Sequence, residues 1–170
     1  MRCSVCGKEH DLLEPAFRRP DIIFALSPEE REARANEDDD MCRLGPGAGE
    51  PEGYRYFLRA VLPVRLVDAA DSTAWGLWVE LSEADILRVR ELWTDPRQAD
   101  EPPFSAVIAN HVPGYPETLG LPVRVQLQDP PRRAELSFEP GTAHSFAAEC
   151  EAGVSGHKVV DWLRTMGVEC

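Results

Sequence analysis

Apolar and polar positions alternate along this chain with two different periods, and the switches between them mark out its elements. Residues 54–67 are rich in aromatic and β-branched side chains, the composition of a strand, with Pro63 marking an edge or a bend. Trp75-Gly76-Leu77-Trp78-Val79-Glu80-Leu81 reads as a second strand, and the Asp-Ala-Ala-Asp-Ser stretch before it predicts a hairpin. Residues 104–109 give a third strand. Residues 123–127 and 134–138 alternate apolar with polar, as a sheet with one wet face requires.

Three segments carry helical spacing instead. Ser27-Pro28-Glu29-Glu30 opens a helix, with Ser27 as cap, Pro28 in the first turn and Glu30 completing a capping box. This helix is expected to run to about Asn36 and, having a weak apolar stripe, to lie on the surface. Glu37-Asp38-Asp39-Asp40 ends it, because carboxylates oppose the dipole at a helix C-terminus. Ser82 caps a second helix whose stripe is Ile86, Val89 and Trp93, supported by Leu92, with Asp95-Pro96 as its stop. A third starts near Ser155, carries Val159, Val160, Leu163 and Met166, and stops at Gly167.

About five strands, about three helices and hairpin-like links between strands predict an α+β fold with a mainly antiparallel sheet. The run Gly45-Pro46-Gly47-Ala48-Gly49-Glu50-Pro51-Glu52-Gly53 is a flexible loop by composition. It divides residues 1–44, a Cys-containing knuckle and helix, from an α+β domain over 54–170, the two expected to form one compact unit. No internal repeat is visible.

Composition narrows the class. A chain of 170 residues, 43% hydrophobic and 28% charged, is long enough and apolar enough for one globular core, which argues against disorder. No stretch has the apolar length of a membrane span: residues 54–67 are broken by Arg55, Arg59, Pro63 and Arg65. Met1-Arg2-Cys3-Ser4-Val5-Cys6 lacks the apolar centre of a signal peptide, so the expected compartment is the cytoplasm. A net charge of −12 repels phosphate backbones and suits a basic protein partner better than a nucleic acid. The basic pairs Arg18-Arg19 and Arg132-Arg133 both adjoin prolines and read as solvated loop charges.

The five cysteines are Cys3, Cys6, Cys42, Cys150 and Cys170. An odd number in a reducing compartment argues against a disulfide framework. Cys3-Ser4-Val5-Cys6-Gly7-Lys8-Glu9-His10 has the shape of a zinc knuckle, with Gly7 suited to its left-handed turn. Zinc takes four soft or borderline ligands in a tetrahedron. Cys3 and Cys6 supply two, His10 a third, and Cys42, after the first helix, closes the set. Such a structural zinc ion would act as a small core for a region too polar to bury itself. Glu9, Asp11 or a distant His could stand in for His10. The competing readings are a redox pair, against which nothing precedes Cys3 to form the usual strand, and plain reduced thiols.

Several segments together resemble the bacterial domain-of-unknown-function family 2199. They are the knuckle, Asp40-Met41-Cys42, Trp75 through Ser82, Glu101-Pro102-Pro103-Phe104, and Pro113-Gly114-Tyr115-Pro116-Glu117-Thr118-Leu119, in order through most of the chain. The family has no assigned activity, so the resemblance implies a bacterial protein and carries over no catalytic residue. One departure is visible. A His is common in the family where this chain has Gln126, which argues against an essential His there.

Three further groups of residues stand as candidate sites. The loop Asn110-His111-Val112-Pro113-Gly114-Tyr115-Pro116-Glu117-Thr118 offers a base, an aromatic platform and an acid in His111, Tyr115 and Glu117. Its prolines equally read as pins for an irregular crossover. His144 stands beside Ser145, but no Gly-x-Ser-x-Gly elbow exists, so a capping or surface role is the better reading. Trp75 and Trp78 fall on opposite faces of their strand, where core packing is the expectation for both. No phosphate-binding glycine loop or dinucleotide fingerprint is present. The sequence therefore points to a non-enzymatic binding protein with a structural zinc site and a basic protein partner. The alternative is a small hydrolase or transferase using His111 or His144 in a loop-lined cleft. A zinc-ribbon nucleic-acid binder is opposed by the charge.

Overall fold

The computed structural model describes residues 14–70 and 72–168. In chain order the elements are α1 (Asp21–Phe24), α2 (Pro28–Arg34), β1 (Ala35–Glu37), β2 (Met41–Leu44), β3 (Arg55–Arg65), β4 (Ser72–Leu81), α3 (Glu83–Leu92), β5 (Phe104–Ile108), β6 (Pro122–Gln126), β7 (Glu135–Phe138), α4 (Ser145–Ala152) and α5 (Gly156–Thr165). The class is mixed α+β, as the pattern predicts, but with seven strands and five helices among the described residues. The added helices, α1 of 4 residues and α4 of 8, are too short for a clear helical period.

The helix starts follow their sequence signals. Ser27 and Glu30 form the reciprocal capping box of α2, Ser82 accepts from the Asp85 N–H, and Ser155 from that of Lys158. Helix α2 buries no side chain, as its weak stripe predicts. It ends at Arg34, however, and residues 35–37 are strand rather than helix. The cause is the acidic run. An Asp38 carboxylate oxygen accepts from the Asp40 and Met41 N–H groups at 2.9 and 2.7 Å, closing a turn that pairs Glu37 with Cys42. The run thus builds a hairpin as well as stopping a helix. The stripe of α3 is also corrected: Ile86, Val89 and Leu92 are buried, whereas Trp93 lies past the helix end, 38% exposed, before Thr94 at φ 73°.

Strands β3 to β7 form an antiparallel meander that closes on itself, because β7 also pairs with β3. The closing pair, Val61 with Glu135, is parallel, since the first and last of five meandering strands run the same way. The alternate residues Leu58, Ala60, Leu62 and Val64 of β3 point into the barrel with Trp75, Leu77 and Val79 of β4, and α3, α4 and α5 pack on the same core. One edge of β3 is shared by three partners in succession: β2 at 55–58, β7 at Val61, and a bridge from Val154 at Leu66. Pro63, which has no N–H, falls on that edge between the bonds at Val61 and Arg65, where no donor is needed.

Strands β1 and β2 extend the sheet beyond the barrel as a ledge. A second, smaller core covers the ledge's outer face: Ile23, Cys42, Leu44, Phe57, Trp78 and Ala109 are buried together, with Phe17, Ile22 and Leu26 packed against them. Trp75 and Trp78, on opposite faces, are thus both buried, one in each core. The glycine- and proline-rich stretch over 45–53 joins β2 and β3 as neighbours of one sheet. Residues 15–17 run along the part of β4 that β5 leaves free, bonding Gly76 through its N–H and C=O at 2.9 Å each. Only glycine fits there, since a Cβ at Gly76 would lie 2.7 Å from that of Ala16.

Candidate functional site

Of the residues expected to hold zinc, Cys3, Cys6 and His10 lie outside the described residues. Cys42 lies on β2 with its side chain in the smaller core, 4% exposed. Burial, with the Glu37 and Asp38 carboxylates nearby, pushes its thiol well above the usual range. Among the described residues, no three His, Cys, Asp or Glu side chains come together as a metal site.

The loop after β5 is held by its polar residues more than by its prolines. Asn110 is fully buried. Its Oδ1 accepts from the Trp78 N–H at 2.8 Å, filling the β4 ladder between Gly76, bonded by residues 15–17, and β5. Its Nδ2 donates to the Arg19 carbonyl at 2.8 Å and to Asp21 Oδ1 at 3.0 Å. Thr118, also fully buried, accepts from the Val112 N–H and donates to the Asn110 carbonyl, at 2.8 Å each, closing the base of the loop. At the tip, Tyr115 turns inward instead of offering a platform. Its hydroxyl donates to Glu149 and accepts from Trp162 Nε1 at 2.9 Å, and Lys158 pairs with Glu149 at 3.1 Å. Burial and the Glu149 carboxylate raise the tyrosine's pKa above the usual phenol range.

His111 and His144 both meet Glu117. His111 Nδ1 lies 3.6 Å from the Glu117 carboxylate, both side chains largely exposed, which is a surface pair. His144 caps α4: its Nδ1 accepts from the Phe146 N–H at 3.1 Å, leaving Nε2–H to donate to the Glu117 carbonyl at 3.1 Å. Neither nitrogen of His144 can take a substrate proton without releasing the cap or the loop. Gln126, in the position where the family resemblance suggests a His, donates from Nε2 to the carbonyls of Ala99, Glu101 and Leu127, a structural staple.

A concavity that brings several elements together lies elsewhere. The inner face of the ledge carries Asn36 and Asp38 from β1 and its turn, Met41 and Arg43 from β2, and Tyr56 from β3, and α3 flanks it. A cleft of about 240 Å³ lies between, floored by Met41, Tyr56 and Ile86 and bordered by Asn36, Asp38 and Arg90. A second, of about 410 Å³, shares Asp38, Met41 and Arg90 with it and adds Asp39, Asp40 and Trp93. Tyr56 is oriented by a 2.7 Å bond from its hydroxyl to Glu83. The walls combine acidic groups, the guanidinium groups of Arg43 and Arg90 and a half-exposed aromatic ring around a few apolar side chains, an arrangement suited to non-covalent contact. Sequence reasoning missed this site. The signal was present in the acidic run leading directly into Met41, but only strand pairing brings that run opposite α3.

Fold and site together define a mixed α+β protein with a closed five-stranded barrel, a two-stranded ledge and an open cleft at their junction. The chain belongs to a family of uncharacterised proteins conserved in bacteria, domain of unknown function 2199, whose model matches residues 2–154. The match ends before α5, although that helix supplies Val159, Trp162 and Leu163 to the main core. No curated protein and no solved structure matches the chain. No helix among the described residues is long and apolar enough to cross a membrane.

Proposed function

We propose that this is a non-enzymatic binding protein that engages a basic protein partner at the cleft between α3 and the ledge, with a structural zinc ion on Cys3, Cys6, His10 and Cys42. The observation that carries the reading is the ledge itself. Its outer face is covered by residues 17–26, whereas its inner face is left open with Met41 and Tyr56 half-buried beside three aspartates. A concave surface in which a few apolar side chains sit among charged ones suits an interaction site. The net charge of −12 steers a cationic partner toward it.

The zinc proposal is supported by where Cys42 stands. Its side chain belongs to the sheet face over which the chain after the Cys3–His10 motif is laid. A thiolate there would need a positive charge in direct contact, which the zinc ion itself would supply by coordination.

Capture of bacterial proteins on the immobilised full chain tests the binding reading, with an Asp39→Lys variant alongside. Asp39 is exposed and its carboxylate has no partner among the described residues, so the fold is untouched. A basic protein retained by the wild type, released by moderate salt and lost by the variant is the expected result. Equal retention by both refutes the assignment of the cleft.

A further inference from the structure

We propose that Arg90 reads a carboxylate, so that the segment taken up by this cleft is dipolar: a lysine or arginine facing the hairpin turn, an apolar side chain on the floor, and an acidic group on Arg90. The proposal rests on the reading of the cleft as the binding surface and adds the chemistry of its occupant.

Helix α3 carries two arginines, Arg88 and Arg90, in opposite circumstances. Arg88 is paired: it holds Glu101 with two bonds of 2.8 and 2.9 Å and Glu91 with one of 3.2 Å. Arg90 borders both clefts, is exposed, and its guanidinium has no ion pair or hydrogen bond among the described residues. The carboxylates across from it are mostly engaged. Asp38 accepts the two backbone N–H groups of its own turn, Asp40 pairs with Arg133 at 2.9 Å, and Glu83 takes the Tyr56 hydroxyl. Of the carboxylates bordering the two clefts, Asp39 alone has no partner among the described residues.

The cleft therefore presents one open carboxylate, at Asp39, and two guanidiniums without a carboxylate partner among the described residues, Arg43 stacked on the Tyr54 ring at 4.7 Å and Arg90 wholly open, with Met41, Tyr56 and Ile86 between them. A purely basic ligand would meet repulsion at Arg90. A ligand with both signs of charge satisfies both ends, and the planar fork of arginine suits a carboxylate with two parallel bonds. Arg90 is in this reading a specificity-determining residue, discriminating among cationic segments by the charge of the group beyond the cation.

The test uses the full-length protein, labelled with ¹⁵N at its tryptophan indoles, and three capped synthetic peptides. One carries a lysine, a central leucine and a glutamate; the others replace the glutamate or the lysine by glutamine. The Trp93 indole signal, assigned with Trp93→Phe, reports binding because that ring borders the second cleft. Wild type should bind the dipolar peptide about two- to fivefold more tightly than the glutamate-free one, as expected of solvent-exposed charge pairs. Arg90→Gln should erase that preference, and Arg90→Glu should reverse it. If wild type holds the two peptides equally while Asp39→Lys still weakens both, the role given to Arg90 is overturned and the cleft stands. If no peptide moves the Trp93 signal at millimolar concentration, the cleft reading falls with it.

Discussion

Replacing Asn110 by alanine takes three hydrogen bonds out of a site with no solvent access. The Trp78 N–H loses its acceptor at 2.8 Å in the middle of the β4 ladder, and the Arg19 carbonyl loses its donor at 2.8 Å. Asp21 loses one contact at 3.0 Å but keeps the His111 N–H at 2.7 Å, so its share is small. Each buried group left unpaired costs about 1–3 kcal/mol, which puts the variant at about 2–5 kcal/mol. That is a large part of the ~5–15 kcal/mol that holds a domain of this kind together. Asn110→Asp sharpens the test. It keeps an acceptor for Trp78, but turns carboxylate oxygens toward the Arg19 carbonyl and the Asp21 carboxylate, and should be at least as damaging at pH 7. Its folded-state pKa is raised by that site, so stability should recover as pH falls and the new carboxyl gains a proton. Urea unfolding monitored by far-UV circular dichroism measures both, with an unchanged m-value required. A loss under about 1 kcal/mol for Asn110→Ala, with Asn110→Asp no worse at pH 7, would refute the view that this amide completes the ladder.

Three other outcomes are expected from the same geometry. Gly76→Ala should cost about 1–3 kcal/mol by pressing a methyl on Ala16, and should speed amide exchange at Phe17, whose N–H bonds Gly76; unchanged exchange would mean the backbone absorbs the methyl. Burial raises the pKa of Tyr115 above 10.0 and that of Cys150 from 9.0 to about 12, so both favour the neutral form when folded, and their contribution is complete below about pH 9 and lost as pH rises above it. Unfolding midpoints between pH 7 and 11 should fall on the alkaline side, less steeply in Tyr115→Phe and Cys150→Ala, and a parallel fall in both variants would count against this assignment. Elemental mass spectrometry of tag-free protein should find near-stoichiometric zinc, lost in Cys3→Ser; because Cys42→Ser also puts a hydroxyl among apolar side chains, Cys3→Ser is the cleaner variant, and metal-free reduced protein would sink the zinc site.

Much of the local structure was legible in the residues alone. Ser27, Ser82 and Ser155 cap their helices because the relevant contacts lie within three residues, and the β3–β4 hairpin arises from two strand-like runs around one turn. Period-two alternation likewise assigned Trp75 and Trp78 to opposite faces, since pleating is a property of a single strand. His144 was readable only as a capping or surface residue, since the helix it caps, α4, was not foreseen. The short elements α1, β1 and β2 stayed hidden, whereas β7, also of four residues, was legible because its alternation begins at the buried Ala134.

Contacts between residues far apart in the chain were another matter. Closure of the barrel depends on β7 finding the stretch of β3 that β2 leaves free, a matter of strand length and twist that no local pattern encodes. Asn110 looked like one polar loop residue among several, and became the keystone of the β4 ladder only when residues 15–21 were laid beside it. The cleft arose in the same way. Its aspartates, Tyr56 and Arg90 come from a turn, a strand and a helix more than fifteen residues apart, beside a ledge open on one face because the chain's own early segment covers the other. Strands, caps and helices could be read from the residues because those preferences act between neighbours. The cleft could not, because it depends on which faces the packed chain leaves uncovered.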